Sequence, residues 1–269
     1  MKDVFRKLKI RIVIRRYEVI ICGSVMLLSG AVIPSSWDPP MRFYPAPQVE
    51  LAPKHPWIAL TFDDGPHPVM TDRLLSILRE QHVPGTFFVV GKMADRYPQL
   101  VKDIARDGNE VANHTYSHPN LSRLSNDAVL SELAHTRELI QRLTGRDSCL
   151  FRPPGGDYSR QMVRATARAG YRMVLWSVLT DDVDGASSRF IRRRILDGAE
   201  DGAIILMHSG VERTVQVLPE VIAKLRARGY HFVTVSTLMG LQPPSLVPSP
   251  DTSVLHTAAA TSRNDVRTQ

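Results

Sequence analysis

Short apolar runs alternate with helix-periodic stretches from Trp57 to Met239, and this alternation constrains the fold more than any other feature of the chain. The runs fall at 58–62 (IALTF), 86–90 (TFFVV), 110–112 (EVA), 149–151 (CLF), 172–176 (RMVLW), 203–207 (AIILM) and 231–235 (HFVTV). Between them, Leu74, Leu75 and Leu78 mark one helical face, and Leu100, Val101 and Ile104 a second. Leu130, Leu133, Leu139, Ile140 and Leu143 mark a third; Val215, Leu218, Val221, Ile222 and Leu225 mark a fourth. Ser125 and Ser159 stand where side-chain N-caps stand, and Gly145 follows a helical run as a left-handed C-cap would. Apolar strands separated by helices predict a parallel sheet covered by helices. Seven such units predict an α/β fold, a distorted (β/α)7-type barrel in one domain. Reactive side chains in such a barrel lie at the C-terminal ends of its strands, so they should follow the apolar runs.

The flanks read differently. The chain of 269 residues carries a formal charge of +7, but residues 1–18 hold seven basic and two acidic groups. Beyond position 18 there remain 27 basic and 25 acidic residues, a balance that implies no nucleic-acid partner. From Val19 to Ile33 no charge occurs, and a basic start before an uncharged apolar run is the pattern of an export signal or membrane anchor. We therefore expect a signal peptide or N-terminal anchor over 1–33, with membrane contact through that segment if it is uncleaved. The rest of the chain is then exported, to the periplasm, cell envelope or exterior. Residues 34–56 contain seven prolines and read as an extended linker; residues 240–269 are rich in Ser, Thr and Ala and read as a disordered tail. Cys22 and Cys149 make no disulfide framework, and Cys149 reads as a buried thiol.

The strand ends carry chemistry. After the first run stands Thr61-Phe62-Asp63-Asp64-Gly65-Pro66, and after the third Asn113-His114-Thr115-Tyr116-Ser117-His118. Two histidines and one carboxylate provide three protein ligands with a position open for water, the pattern of a catalytic zinc site. Phe151-Arg152-Pro153-Pro154-Gly155-Gly156-Asp157 follows the fourth run, with an arginine able to grip a carboxylate and glycines that admit close approach. Leu175 to Asp182 end the fifth, and His208 closes the sixth. Trp176 reads as barrel core, and Arg192, Arg193 and Arg194 as a solvated helix face.

In this order the five segments resemble the NodB-homology polysaccharide deacetylases, carbohydrate esterase family 4, over about Trp57 to Thr237. The resemblance implies a distorted (β/α) barrel and a metal-dependent hydrolase. Such an enzyme removes N-acetyl groups from a polysaccharide containing N-acetylglucosamine (peptidoglycan, chitin oligomers or exopolysaccharide) and releases acetate. By position it implies Asp63 as catalytic base, Asp64, His114 and His118 as metal ligands, and Arg152 as the group that orients the base. It also implies His208 as general acid, Asp182 as the carboxylate that tunes it, and the Gly155 N–H as an oxyanion donor. The cofactor implied is a divalent metal, Zn2+ ahead of Co2+ or Ni2+. Three positions depart from the family pattern: Gly155 stands where an aromatic residue is common, and Leu179 and Val183 replace the first Asp and the Trp of Asp-x-x-Asp-Trp. Competing readings are hydrolysis of O-acetyl esters or another amide on the same fold, and a weakly active glycan-binding protein.

Overall fold

The computed structural model describes residues 56–241. The expected leader, nearly all of the linker and the tail beyond Leu241 lie outside the described residues. In chain order the elements are β1 (Trp57–Gly65), α1 (Met70–Glu80), β2 (Thr86–Val89), α2 (Gly91–Arg96), α3 (Pro98–Arg106), β3 (Glu110–Asn113) and α4 (Asn126–Thr144). They continue with β4 (Leu150–Phe151), α5 (Arg160–Arg168), β5 (Arg172–Met173), β6 (Val178–Leu179), α6 (Ser188–Gly198), β7 (Ala203–His208), α7 (Glu212–Ala227), β8 (His231–Phe232) and α8 (Val235–Leu238). Every strand pairing is parallel, in the order β5-β4-β3-β2-β1-β7-β6, with β8 set against the start of β1. Among the described residues no helix is long and apolar enough to cross a membrane.

Side chains alternate across a strand, and that period sorts the sheet into two faces. Ile58, Leu60 and Phe62 of β1, Phe87 and Val89 of β2, and Val111 of β3 face outward, in the larger core with helix residues such as Leu74, Leu78, Leu218 and Val221. Ala59, Phe88, Ala112, Leu150 and Val174 face inward and meet Val235 of α8 in a smaller core. Thr61 and Asp63 share the inward face with Ala59, and His114 follows Ala112 on the same side by the same alternation. The sheet therefore delivers polar groups to the C-terminal end of this interior, while at the other end Thr86 and the buried Glu110 bond each other and α8. Ser125 accepts the N–H of Ala128, Ser159 that of Met162 and Ser187 that of Phe190, each cap worth about 1 kcal/mol. Gly145 closes α4 at φ 69°, in the left-handed conformation a C-cap uses.

Two runs differ from expectation. Of the strand expected over 172–176 only β5 forms, paired with β4; β6 follows beyond the run and pairs with β7, the two joined by 174–177 across the gap between the sheet's edges. The interruption has a cause: the carbonyls of Val174 and Leu175 accept hydrogen bonds from the Arg152 guanidinium (3.3 and 3.1 Å). The run over 231–235 pairs only at His231 and Phe232. Thr234 then caps α8, its hydroxyl accepting the N–H of Thr237. Cys149 is half-buried against the smaller core rather than fully buried. Of the Arg192–Arg194 run, Arg193 and Arg194 are exposed and Arg192 is half-buried, with surface contacts from Arg192 to Glu220 and from Arg194 to the Leu179 carbonyl.

Candidate active site

Adjacent residues of a regular strand point to opposite faces, yet Asp63 and Asp64 both turn to His114. The strand register shifts between Phe62 and Gly65, and Asp64 takes φ 65°, a left-handed conformation that Asp tolerates better than most residues. Asp64 Oδ1 consequently lies 3.2 Å from His114 Nε2 and 3.0 Å from His118 Nε2, and Asp63 Oδ2 lies 3.8 Å from His114 Nε2. The two histidines come from a turn rather than a helix, with Thr115 at φ 67° and His118 at φ 57°.

The donor set fits a cation. One donor atom each from Asp64, His114 and His118 lies within 4.8 Å of the others. Asp64 Oδ1 is buried and faces the two imidazole Nε2 atoms, three ligand-type atoms converging on one point that a bound ion would satisfy. His114 Nδ1 lies 2.8 Å from the Arg152 carbonyl, so Nδ1 carries the proton and Nε2 presents its lone pair to the site. Burial pushes the Asp64 carboxyl up, but the two imidazoles outweigh burial and hold it below the ordinary carboxylate range. Asp64 in turn raises His118 above its ordinary value, with burial working against it. Positive charge is favoured at this point.

Arg152 has no exposed surface. Nη1 donates to Asp63 Oδ1 (2.7 Å) and Thr61 Oγ1 (2.8 Å), Nε and Nη2 reach the two carbonyls named above, and the guanidinium sits 4.1 Å over the Phe88 ring. Asp63, itself 3% exposed, is thereby fixed beside the three-residue cluster. Burial lowers the guanidinium from its ordinary value, and Asp63 offsets part of that.

A second acid–base pair stands on the neighbouring strand. β1 and β7 run in register with Asp63 opposite His208. His208 Nδ1 lies 2.7 Å from Asp182 Oδ1, while Asp182 Oδ2 accepts the His208 N–H (2.9 Å) and the Thr214 hydroxyl (2.5 Å). Burial disfavours both charges, but the pairing prevails: Asp182 sits below the ordinary carboxylate range and His208 above the ordinary imidazole value. The His208 ring thus holds its Nδ1 proton on Asp182 and leaves Nε2 free for another partner.

Of the residues singled out in the sequence, Asp63, Asp64, His114, His118 and Arg152 form one connected group, and Asp182 and His208 a pair beside it. Gly155 lies in a left-handed turn (φ 64°) three residues beyond Arg152, in open space. Trp176 is not barrel core; it is half-buried, 5.7 Å from the Arg152 guanidinium, and fills the space that a Cβ on Gly156 would need. Val69, Tyr158 and Val183 are exposed apolar residues, all on segments that follow strand ends β1, β4 and β6. Sequence reasoning missed three supporting residues. Thr61 had a signal, a polar residue on the inward period of β1; Thr214 and Glu132, on helices, had none.

Known proteins are similar to this chain in both sequence and fold. Residues 51–174 match the family described as polysaccharide deacetylase. A peptidoglycan-N-acetylglucosamine deacetylase of Bacillus cereus is 35% identical over 187 residues, covering 68% of this chain and 87% of that one. A solved peptidoglycan N-acetylglucosamine deacetylase, in complex with 4-naphthalen-1-yl-N-oxidanyl-benzamide, has a TM-score of 0.68 at 34% identity over 70% of this chain and 90% of its own. A pseudoenzyme of carbohydrate esterase family 4 from Bacillus anthracis is similar too, with a TM-score of 0.66 at 28% identity over 70% of this chain and 66% of its own.

Proposed function

The chain belongs to the polysaccharide deacetylase family, and from that premise we propose that it removes N-acetyl groups from an N-acetylglucosamine-containing polymer outside the cytoplasm, releasing acetate. Relatives named as peptidoglycan and chitooligosaccharide deacetylases act on carbon–nitrogen bonds other than peptide bonds. The observation that carries the proposal is the presence of two ion pairs, Asp63–Arg152 and Asp182–His208, with Asp63 and His208 in register on adjacent strands β1 and β7 beside the Asp64–His114–His118 cluster.

Asp64, His114 and His118 would hold a divalent cation, and two imidazoles with one carboxylate favour zinc, ahead of cobalt or nickel. Bound there, the ion supplies Lewis-acid polarisation of the acetamide carbonyl and lowers the pKa of water. Asp63, held by Arg152, accepts the proton of the attacking water at the carboxylate oxygen not bound to the guanidinium. The Gly155 N–H donates to the oxygen that gains charge as the carbonyl becomes tetrahedral, a contribution of about 3–4 kcal/mol for such a donor. The amide C–N bond then breaks, and the amine nitrogen takes a proton from His208 Nε2. An amine is a poor leaving group without that proton, so an acid opposite the base is required. Asp182 keeps His208 protonated until then. The exposed Val69, Tyr158 and Val183 offer apolar surface to sugar rings at the rim.

Peptidoglycan is the favoured polymer because the Bacillus cereus relative carries that substrate in its name, and because the basic, then apolar, start of the chain reads as an export device. The test is acetate release, with matching free amine, from purified peptidoglycan, chitin oligomers and O-acetylated xylan in the presence of zinc. Acetate and amine in equal amounts from the N-acetylated glycans is the expected result. Acetate from xylan alone would replace amide hydrolysis with ester hydrolysis, and no acetate from any of them would leave a glycan-binding protein.

A further inference from the structure

Glu132 lies in α4, outside the groups named in the mechanism, yet its carboxylate closes the turn between His114 and His118. Oε2 accepts the backbone N–H groups of Tyr116 (2.9 Å) and Ser117 (2.7 Å), and Oε1 accepts the Ser117 hydroxyl (2.8 Å). Successive N–H groups aimed at one point form a concavity that holds an anion, and Glu132 fills it. The turn needs an external hold. Thr115 and His118 both take left-handed φ values, which cost free energy for any residue with a Cβ and most for a β-branched one such as Thr.

The same turn of α4 grips the strand end as well. Asn113 Nδ2 donates to the Leu133 carbonyl (2.8 Å), and Asn113 Oδ1 accepts the Thr115 N–H (2.8 Å). Leu133 is fully buried, so this part of α4 is anchored in the core. On the opposite side, the N–H groups of Gly91 and Lys92 at the start of α2 bond the carbonyls of Thr115 and Tyr116 (2.9 Å each). Contact there is tight: a Cβ on Gly91 would lie 2.4 Å from Tyr116 Cδ2. His114 is buried and is fixed by its own strand and by the Arg152 carbonyl. The His118 side chain is 42% exposed, so its placement depends on the turn that carries it.

We propose that Glu132 is a positioning residue for the cation site: by holding residues 116–117 it sets His118 relative to His114 and Asp64, and its loss weakens metal binding without removing a ligand. This rests on the reading of Asp64, His114 and His118 as metal ligands. The test uses metal-free wild type, Glu132→Gln and Glu132→Ala, each checked for folding by circular dichroism and thermal melting, then titrated with zinc against a chromophoric chelator. The Ala variant should bind zinc about 10–100-fold more weakly than wild type, the cost typical of removing a group that supports a ligand. Gln, which keeps one oxygen acceptor, should fall between the two. A folded Ala variant with a zinc Kd within about twofold of wild type would overturn the proposal, being well short of that range. If Ala does not fold, Gln decides: a weakened Kd supports the role and an unchanged one overturns it. Wild type that fails to bind zinc would overturn the ligand reading itself and the proposal with it.

Discussion

Arg152 places a permanent charge where water does not reach, and only its partners make that tolerable. Asp63 and Thr61 engage Nη1, the Val174 and Leu175 carbonyls engage the other nitrogens, and Phe88 lies beneath. Removing one member of a buried ion pair leaves the other uncompensated, at a cost of about 3–5 kcal/mol. Arg152→Ala should therefore lower unfolding stability by about that amount and abolish acetate release, as read from urea denaturation beside the assay. A loss below about 1 kcal/mol would mean that Asp63 finds another partner. At this scale the motif residues were legible because each is a chemically distinctive side chain after an apolar run. The left-handed twist at Asp64 was not legible, since Asp-Gly-Pro is equally at home in an ordinary turn. Glu132 was invisible because a glutamate on an amphipathic helix carries no sign of what its carboxylate holds.

Strands β1 and β7 supply the two sides of the proposed proton economy, through Asp63 and His208 in register. Burial lowers the His208 value, but the hydrogen bond and charge of Asp182 outweigh it and raise the value above the ordinary imidazole one. A reaction that needs this acid loses rate as pH rises through the raised value. Asp182→Asn removes the chief partner that raises it, and the alkaline limb of the kcat/KM profile should move to lower pH; an unmoved limb would detach Asp182 from the acid. Stability follows the same linkage. The His208 contribution is full below pH 6.5 and is lost as pH rises through the folded value, whereas the Asp182 contribution is present above pH 3.8 and is lost as pH falls through its lowered value. Elements with long apolar runs, such as β1, β7, α4 and α7, were readable from period alone. β5 and β6 were not. They are two residues each, and their separation is set by a guanidinium that follows β4, which no local pattern encodes.

At the scale of all the described residues, the strand ends of a parallel, curled sheet meet at one rim, where Asp63, His114 and Arg152 stand above a small apolar core. Fold likeness alone does not make an enzyme, since a pseudoenzyme shares this fold with a TM-score of 0.66. On the proposed reading, activity depends on the side chains: a cluster that would hold a cation, and a separate base that does not serve as a ligand. These two roles can be separated in one comparison. Zinc content and acetate release from an N-acetylated glycan should be measured together for wild type, Asp63→Asn and His114→Ala. Asp63→Asn should retain zinc yet release acetate about 100-fold more slowly or worse, while His114→Ala should lose both. Zinc-loaded Asp63→Asn releasing acetate at the wild-type rate would contradict the assignment of Asp63 as the base, and with it the central claim.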